Sequence, residues 1–157
     1  MIKIEDKTRL HYKKLVEDSL KTIFLILPKE DLEGIDKVLL LDKCQDKDFE
    51  WSGGFYRSAK NGNLAYIELY PEKILKGIPF FLPRLHFFKR YSIVRMFLHE
   101  LGHHNSWDQN DLSTIEPMAD KYMFLYLKKI YGIWNSFFYF FGFLDTVLKN
   151  CNYSQPN

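Results

Sequence analysis

The chain has 157 residues, of which 46% are hydrophobic, and this length is enough for one domain with a substantial apolar core. A formal net charge of +2, with acidic and basic residues interspersed, argues against a surface built for nucleic acid, and no nucleic-acid-binding motif is present. The apolar runs are shorter than the ~20 residues that a membrane-spanning helix requires.

The N-terminal third predicts a helix followed by a buried strand. Apolar residues recur at helical spacing over residues 6–27, which we predict to be the first helix. Residues 35–41 form a short apolar run flanked by acids, a pattern typical of a buried strand. The acids at the very N-terminus do not fit a signal peptide, so we expect a cytoplasmic protein.

A hairpin is predicted next. Residues 53–58 and 64–70 have the composition of strands, and the Asn61-Gly62 step between them favours a tight turn. Alternating residues of the second strand are apolar, which predicts one buried face. We therefore expect a small sheet that is mostly antiparallel.

A proline-rich segment precedes a long helix. Residues 71–88 begin with Pro71, contain Pro79, Pro83 and many aromatic residues, and are predicted to form an irregular segment that lines or covers a cleft. Residues 89–104 are predicted to form a helix because four apolar residues share one face at spacings of i, i+3, i+4 and i+7. This core stripe consists of Val94, Phe97, Leu98 and Leu101.

The same helix carries a motif with a defined chemistry. Residues 99–103 read His-Glu-Leu-Gly-His, which places two histidines one turn apart and away from the core stripe. Both imidazoles can bind one zinc ion at N–Zn distances of about 2.0–2.1 Å. Glu100 is rotated from the line of His99 and His103 but stays beside the metal, where it can accept a proton from water. The alternative is a solvated helical face that carries two histidines by chance.

A third ligand is needed, because hydrolytic zinc sites use three protein ligands and leave one position for water. The candidates downstream of the motif are His104, Asp108, Asp111, Glu116 and Asp120. The side chain of His104 points about 100° away from that of His103 on the helix, which makes it a poor ligand. Glu116 fits best, because it follows a polar loop that is long enough to reverse the chain direction.

Glu116 lies in the first turn of a second helix, which is predicted over residues 114–130. Asp120 lies at i+4 from Glu116, on the same face, where it can accept the free ring N–H of a ligand histidine. An alternative explains Glu116 without a metal, since Ser113 and Glu116 have the spacing of a capping box and Pro117 suits a first helical turn.

The C-terminal region predicts one more helix. Gly132 is expected to end the preceding helix, and residues 134–149 are predicted to be helical. The Phe-rich run at residues 137–144 is interpreted as a face packed on the core. A contact surface for a partner, for a membrane interface or for plugging a cleft is the alternative. Cys44 and Cys151 are expected to be free thiols, as is usual in a reducing cytosol.

The two motifs together carry a family resemblance. His-Glu-Leu-Gly-His, followed by Glu-x-x-Ala-Asp at residues 116–120, resembles the gluzincin metallopeptidases, including the small minigluzincins. The His-Glu-Leu-Gly-His-His start also resembles peptidases of the ImmA/IrrE type. The resemblance covers about residues 64–126. It implies a single zincin-like α+β domain with an N-terminal helix, a small sheet, the two motif helices and a C-terminal helix.

The resemblance also implies roles for individual residues. His99, His103 and Glu116 would bind zinc, Glu100 would be the general base, and Asp120 would hold the ring N–H of a ligand histidine, His99 by analogy. A sheet edge beside the zinc pairs with extended substrate in these families, and residues 64–70 are the predicted edge.

The expected activity is that of a zinc metalloendopeptidase acting on a peptide or protein substrate. The donor for the developing oxyanion stays open among Tyr122, Arg95 and His104. His11 and His86 are interpreted as ordinary histidines. The alternative function is a latent or non-catalytic zinc-binding interaction module whose cleft is occluded. Contact with a membrane surface and the oligomeric state stay open.

Overall fold

The computed structural model describes residues 2–44, 52–60, 64–78, 86–106 and 112–132. These residues form four α-helices, one 3-10 turn and a four-stranded sheet, so the predicted α+β class is confirmed. In chain order, the elements are β1 (Lys3–Asp6), α1 (Lys13–Ile26), the 3-10 turn (Glu30–Leu32), β2 (Ile35–Leu40), β3 (Gly54–Arg57), β4 (Ala65–Leu69), α2 (Pro71–Lys76), α3 (His86–Ser106) and α4 (Leu112–Tyr131). No helix among them is both long and apolar enough to cross a bilayer.

The strand order in the sheet is β1-β2-β4-β3. The prediction of a mostly antiparallel sheet is wrong, because β1 pairs with β2 and β2 pairs with β4 in parallel. The parallel pairing of β1 with β2 follows from the chain between them, since α1 crosses over and returns the chain in the same direction. Among the described strands, only β3 and β4 are antiparallel, with Tyr56 opposite Ile67, and this confirms the pairing predicted for the hairpin. The predicted turn at Asn61-Gly62 lies outside the described residues.

The first helix is shorter than predicted, because it begins at Lys13 and the chain before it forms β1. Asp6 is the last residue of β1, and its carboxylate also binds the first residue of α1. One oxygen of its carboxylate accepts the backbone N–H and the hydroxyl of Thr8, at 2.8 and 2.6 Å. The other oxygen accepts the backbone N–H of Lys13 at 2.8 Å, a donor that has no partner within the helix.

Two further expectations about the middle of the chain need correction. β4 lies inside the sheet between β2 and β3, so residues 64–70 are not an edge; β3 stands at the end of the strand order and packs against α3. The segment predicted to be irregular begins with the short helix α2. Residues 79–85 and the predicted C-terminal helix lie outside the described residues.

The core lies between the sheet and the helices α1, α3 and α4. All four residues of the predicted stripe on α3 are fully buried, which confirms the stripe. Phe97 packs edge-to-face on Phe24 of α1, with ring centroids 5.7 Å apart. A fully buried side chain of this size contributes about 1.5–3 kcal/mol, so apolar packing alone can fix the helix that carries the histidines.

Candidate metal centre

Three side chains from two helices converge where α3 and α4 meet. The Nε2 atoms of His99 and His103 lie 3.1 Å apart. One carboxylate oxygen of Glu116 lies 3.4 Å from the Nε2 atom of His99, and the other lies 3.4 Å from that of His103. These three residues form a group that can hold a metal ion.

The separations between the two histidine nitrogens and the Glu116 carboxylate are compatible with a zinc ion. Tetrahedral coordination with bonds of about 2.0–2.1 Å places neighbouring ligand atoms about 3.3 Å apart. The two nitrogens are 3.1 Å apart, and each lies 3.4 Å from a different oxygen of the Glu116 carboxylate, so each of these pairs has a separation close to that value. A proton bridges only one pair of these groups at a time, whereas a cation between them could bind both nitrogens and a carboxylate oxygen. Two imidazole nitrogens and one carboxylate oxygen are also a ligand set that zinc accepts.

Asp120 lies behind His99. Its carboxylate oxygen is 3.0 Å from the Nδ1 atom of His99. An ionised carboxylate can only accept hydrogen bonds, so the Nδ1 atom of His99 carries the ring proton. The Nε2 atom then has a free lone pair on the side of Glu116. The sequence had left open which histidine Asp120 contacts, and in the structure it is His99.

The two helices approach each other at Gly102. A Cβ atom added there would lie 2.6 Å from the Cα atom of Ala119 and 2.8 Å from its carbonyl oxygen. The backbones are therefore nearly in contact, and only glycine fits. Glu116 lies one turn before Ala119 on α4, so this contact brings the backbone that carries Glu116 close to the helix of the histidines.

The helix-cap interpretation of Glu116 is wrong. α4 begins at Leu112, so Glu116 lies beyond its first turn and Pro117 lies inside the helix. The carboxylate of Glu116 is directed to the two histidines, as the distances above show.

Glu100 is buried, with 5% of its surface exposed. Its carboxylate accepts the backbone N–H of Tyr56 on β3. Gly54 makes room for it, because a Cβ atom there would lie 3.0 Å from the Cγ atom of Glu100 and 3.1 Å from a carboxylate oxygen. Burial raises the pKa of Glu100 from 4.5 to about 8, with the Tyr56 N–H lowering it and the charge of Glu116 raising it. A nearby divalent cation would lower this pKa, because it stabilises the carboxylate.

The surroundings of His103 favour its neutral form. Burial lowers its pKa, and the neighbouring His99 lowers it further, although the charges of Glu116 and Asp120 act in the opposite direction. Metal ions compete with protons for the same ring nitrogen, so a histidine that is neutral at physiological pH binds a metal without first losing a proton.

His104 does not join the group, as its rotation on the helix predicted. Its Nε2 atom lies 2.8 Å from the backbone carbonyl of Glu33, to which it donates. Its Nδ1 atom is then the acceptor for the hydroxyl of Tyr56, at 3.1 Å. Asp108 and Asp111, two other candidate ligands, lie outside the described residues.

The structure also describes the other residues that were singled out from the sequence. The hydroxyl of Tyr122 donates to Asp31 at 2.6 Å, while Arg95 is exposed on α3 one turn before His99. His11 and His86 are exposed, and Cys44 is a free thiol.

Three contacts of this region were not predicted from the sequence, namely those made by Tyr56, Gly54 and Asp31. The adjacent glycines at positions 53 and 54 were one available signal, since glycine in a strand often marks a close approach by another element. Tyr56 and Asp31 carry no local pattern that points to them.

Comparisons of the chain with models of protein families, with curated proteins and with solved structures found no match.

Proposed function

We propose that this protein is a zinc-dependent metalloendopeptidase of the gluzincin type, with a zincin-like fold. The observation that carries the proposal is the convergence of His99, His103 and Glu116: the two Nε2 atoms are 3.1 Å apart and each lies 3.4 Å from one oxygen of the Glu116 carboxylate, distances close to those expected around tetrahedral zinc. Glu100 supports it, because a buried carboxylate with a raised pKa lies next in sequence to a ligand.

A bound zinc ion would polarise the scissile carbonyl and make water a stronger nucleophile near neutral pH. Glu100 accepts a proton from the attacking water as the water oxygen bonds to the carbonyl carbon. It then gives that proton to the amide nitrogen as the C–N bond breaks, which yields a carboxylic acid and an amine and restores the base. Asp120 keeps the proton of His99 on Nδ1, so that Nε2 stays available as a ligand.

The proposed substrate is a peptide in extended conformation. In the resembled families the substrate pairs with a sheet edge beside the metal, and β3 lies at the end of the described strand order and packs against the helix of Glu100. Pairing through the backbone tolerates many side chains, so we expect broad sequence selectivity.

Arg95 is the favoured donor for the developing oxyanion. Tyr122 and His104 direct their donor hydrogens to Asp31 and Glu33. Arg95 lies at i−4 from His99, on the histidine side of α3, and its exposed guanidinium is a positive charge of the kind that stabilises an oxyanion.

Metal content tests the ligand set. The full chain, purified without added metal, is expected to carry one zinc per molecule by mass spectrometry. His99→Ala and Glu116→Ala should each lose most of it. His86→Ala is the matched control, because His86 is an exposed histidine on the same helix and its removal should leave the zinc content unchanged. Wild-type zinc content in Glu116→Ala would rule out Glu116 as the third ligand.

Hydrolysis of a peptide library tests the chemistry. Wild-type protein should cleave peptides, and a chelator should abolish cleavage. Glu100→Gln should retain zinc while turnover falls by at least about 100-fold, the scale of losing a general base. Zinc binding without any chelator-sensitive cleavage by the wild type would support the non-catalytic zinc-binding module.

A further inference from the structure

A single carboxylate outside the metal group accepts hydrogen bonds from side chains on two successive turns of α4. Asp31, in the 3-10 turn before β2, accepts the hydroxyl of Tyr122 at 2.6 Å and that of Tyr126 at 3.0 Å through the same oxygen. The two tyrosines are one turn apart, and their rings are neighbours with centroids 4.8 Å apart. Burial and the bond to Asp31 raise the pKa of Tyr122, so its hydroxyl stays a donor.

The same turn also contacts α3, directly after the second ligand histidine. The backbone carbonyl of Asp31 accepts from the side chain of Asn105 at 3.5 Å, and that of Glu33 accepts from His104 at 2.8 Å. Residues 31–33 therefore connect the C-terminal end of α3 with the middle of α4.

The position of Glu116 depends on contacts that hold α4 against the rest of the protein. Its side chain is 69% exposed, so little packing holds the carboxylate itself, and its position follows that of α4. The contact between Gly102 and Ala119 sets the separation of the helices at one point, and the buried side chains of Met123 and Leu127 hold α4 on the core. Apolar contacts are not directional, so hydrogen bonds add a restraint on the rotation of α4 that packing alone does not supply. Tyr122 lies six residues beyond Glu116, or about 9 Å along the helix axis, so a contact there restrains that rotation.

We propose that Asp31 is a positioning residue for the metal centre: by binding Tyr122 and Tyr126, it fixes the rotation and axial position of α4 so that Glu116 meets the two histidines. The inference rests on the proposed zinc site. Asp31 contacts neither the ligand atoms nor a substrate, and it acts only through α4.

Zinc affinity, measured by competition with a chelator, tests the inference. Asp31→Asn keeps the shape but removes the charge that strengthens both hydrogen bonds, and we expect about 10-fold weaker zinc binding, as for other residues that orient a ligand. Asp36→Asn is the control, because Asp36 is an exposed acid on neighbouring β2 and loses the same charge. Its zinc affinity should equal that of the wild type.

A spectroscopic readout separates positioning from stability. Cobalt substituted for zinc absorbs visible light according to its ligand geometry, so Asp31→Asn should change the spectrum even at saturating cobalt. The Tyr122→Phe and Tyr126→Phe double variant removes both hydroxyls and keeps the rings. It should show the same changes, and combining it with Asp31→Asn should add little, because the three residues act as one unit.

Two failures are distinguishable. Absence of zinc binding by the wild type would overturn the proposed function, and this inference with it. Wild-type zinc binding together with unchanged affinity and an unchanged cobalt spectrum in the double tyrosine variant would overturn the inference alone. That variant also decides the matter if Asp31→Asn does not fold.

Discussion

Replacing Gly102 by alanine should damage the metal centre more than the fold. The new Cβ atom would lie 2.6 Å from the Cα atom of Ala119 and 2.8 Å from its carbonyl oxygen. Carbon atoms in favourable contact are about 3.5–4.0 Å apart, so the two helices must separate by about 1 Å. The atoms in the way belong to the backbone, and no side chain can rotate to relieve the overlap.

The effect on stability should be small, because two terms oppose each other. Alanine is favoured over glycine inside a helix by about 1 kcal/mol. Overpacking of a close contact costs about 1–3 kcal/mol. The expected net loss is therefore about 0–2 kcal/mol, which leaves the protein folded.

The effect on the metal should be larger. Glu116 moves with α4, and a shift of about 1 Å far exceeds the tolerance of about 0.2 Å in metal–ligand distances. We expect zinc affinity to fall at least 10-fold, and peptide hydrolysis to fall about 100-fold, as is typical for a misplacement of 1 Å at a reacting centre.

The assay compares Gly102→Ala with Gly77→Ala. Gly77 ends α2, and a Cβ atom there would lie no closer than 3.5 Å to its neighbours, an ordinary contact. Thermal unfolding of the metal-free proteins reports stability, and chelator competition reports zinc affinity. If Gly102→Ala binds zinc as tightly as the wild type and Gly77→Ala do, the close approach of α3 and α4 does not position Glu116.

Two other predictions concern ionisable groups. Burial raises the pKa of Glu100 from 4.5 to about 8. Between these two values the metal-free folded protein keeps a proton on Glu100 that the unfolded chain has already released. The free energy of unfolding should therefore fall as the pH rises from 4.5 to about 8. Thermal unfolding of metal-free Glu100→Gln should lack most of this fall, and a pH dependence equal to that of the wild type would contradict it. Asp120→Asn keeps the shape but weakens the hold on His99, so zinc affinity should fall by about 10–100-fold in a titration of the metal-free protein. Equal affinities would make Asp120 an ordinary surface carboxylate.

Features that depend on helical periodicity were predictable from the sequence. The stripe on α3 and the opposite position of His99 and His103 follow from 3.6 residues per turn, and the structure reproduces both. The common face of Glu116 and Asp120 follows in the same way. Each of these pairings is decided within a few residues of chain, where sequence patterns are informative.

Features that depend on distant segments were not predictable. β1 pairs with β2 across α1, and nothing in its four residues reveals that partner. The hydrogen bonds of Asp31 to Tyr122 and of His104 to Glu33 join residues 91 and 71 positions apart. Such contacts arise from how the helices pack on the sheet, and a single sequence carries no local trace of them. For the same reason, the sequence did not predict that β4 pairs with β2 on one side and with β3 on the other.

The most direct test of the metal centre is a crystal structure of the zinc-loaded protein with anomalous diffraction recorded at the zinc absorption edge. The proposed site predicts one strong anomalous peak, at about 2.0–2.2 Å from the Nε2 atoms of His99 and His103 and from a carboxylate oxygen of Glu116. A peak at other residues, or none in crystals grown with zinc, would contradict the assignment of these three side chains as its ligands.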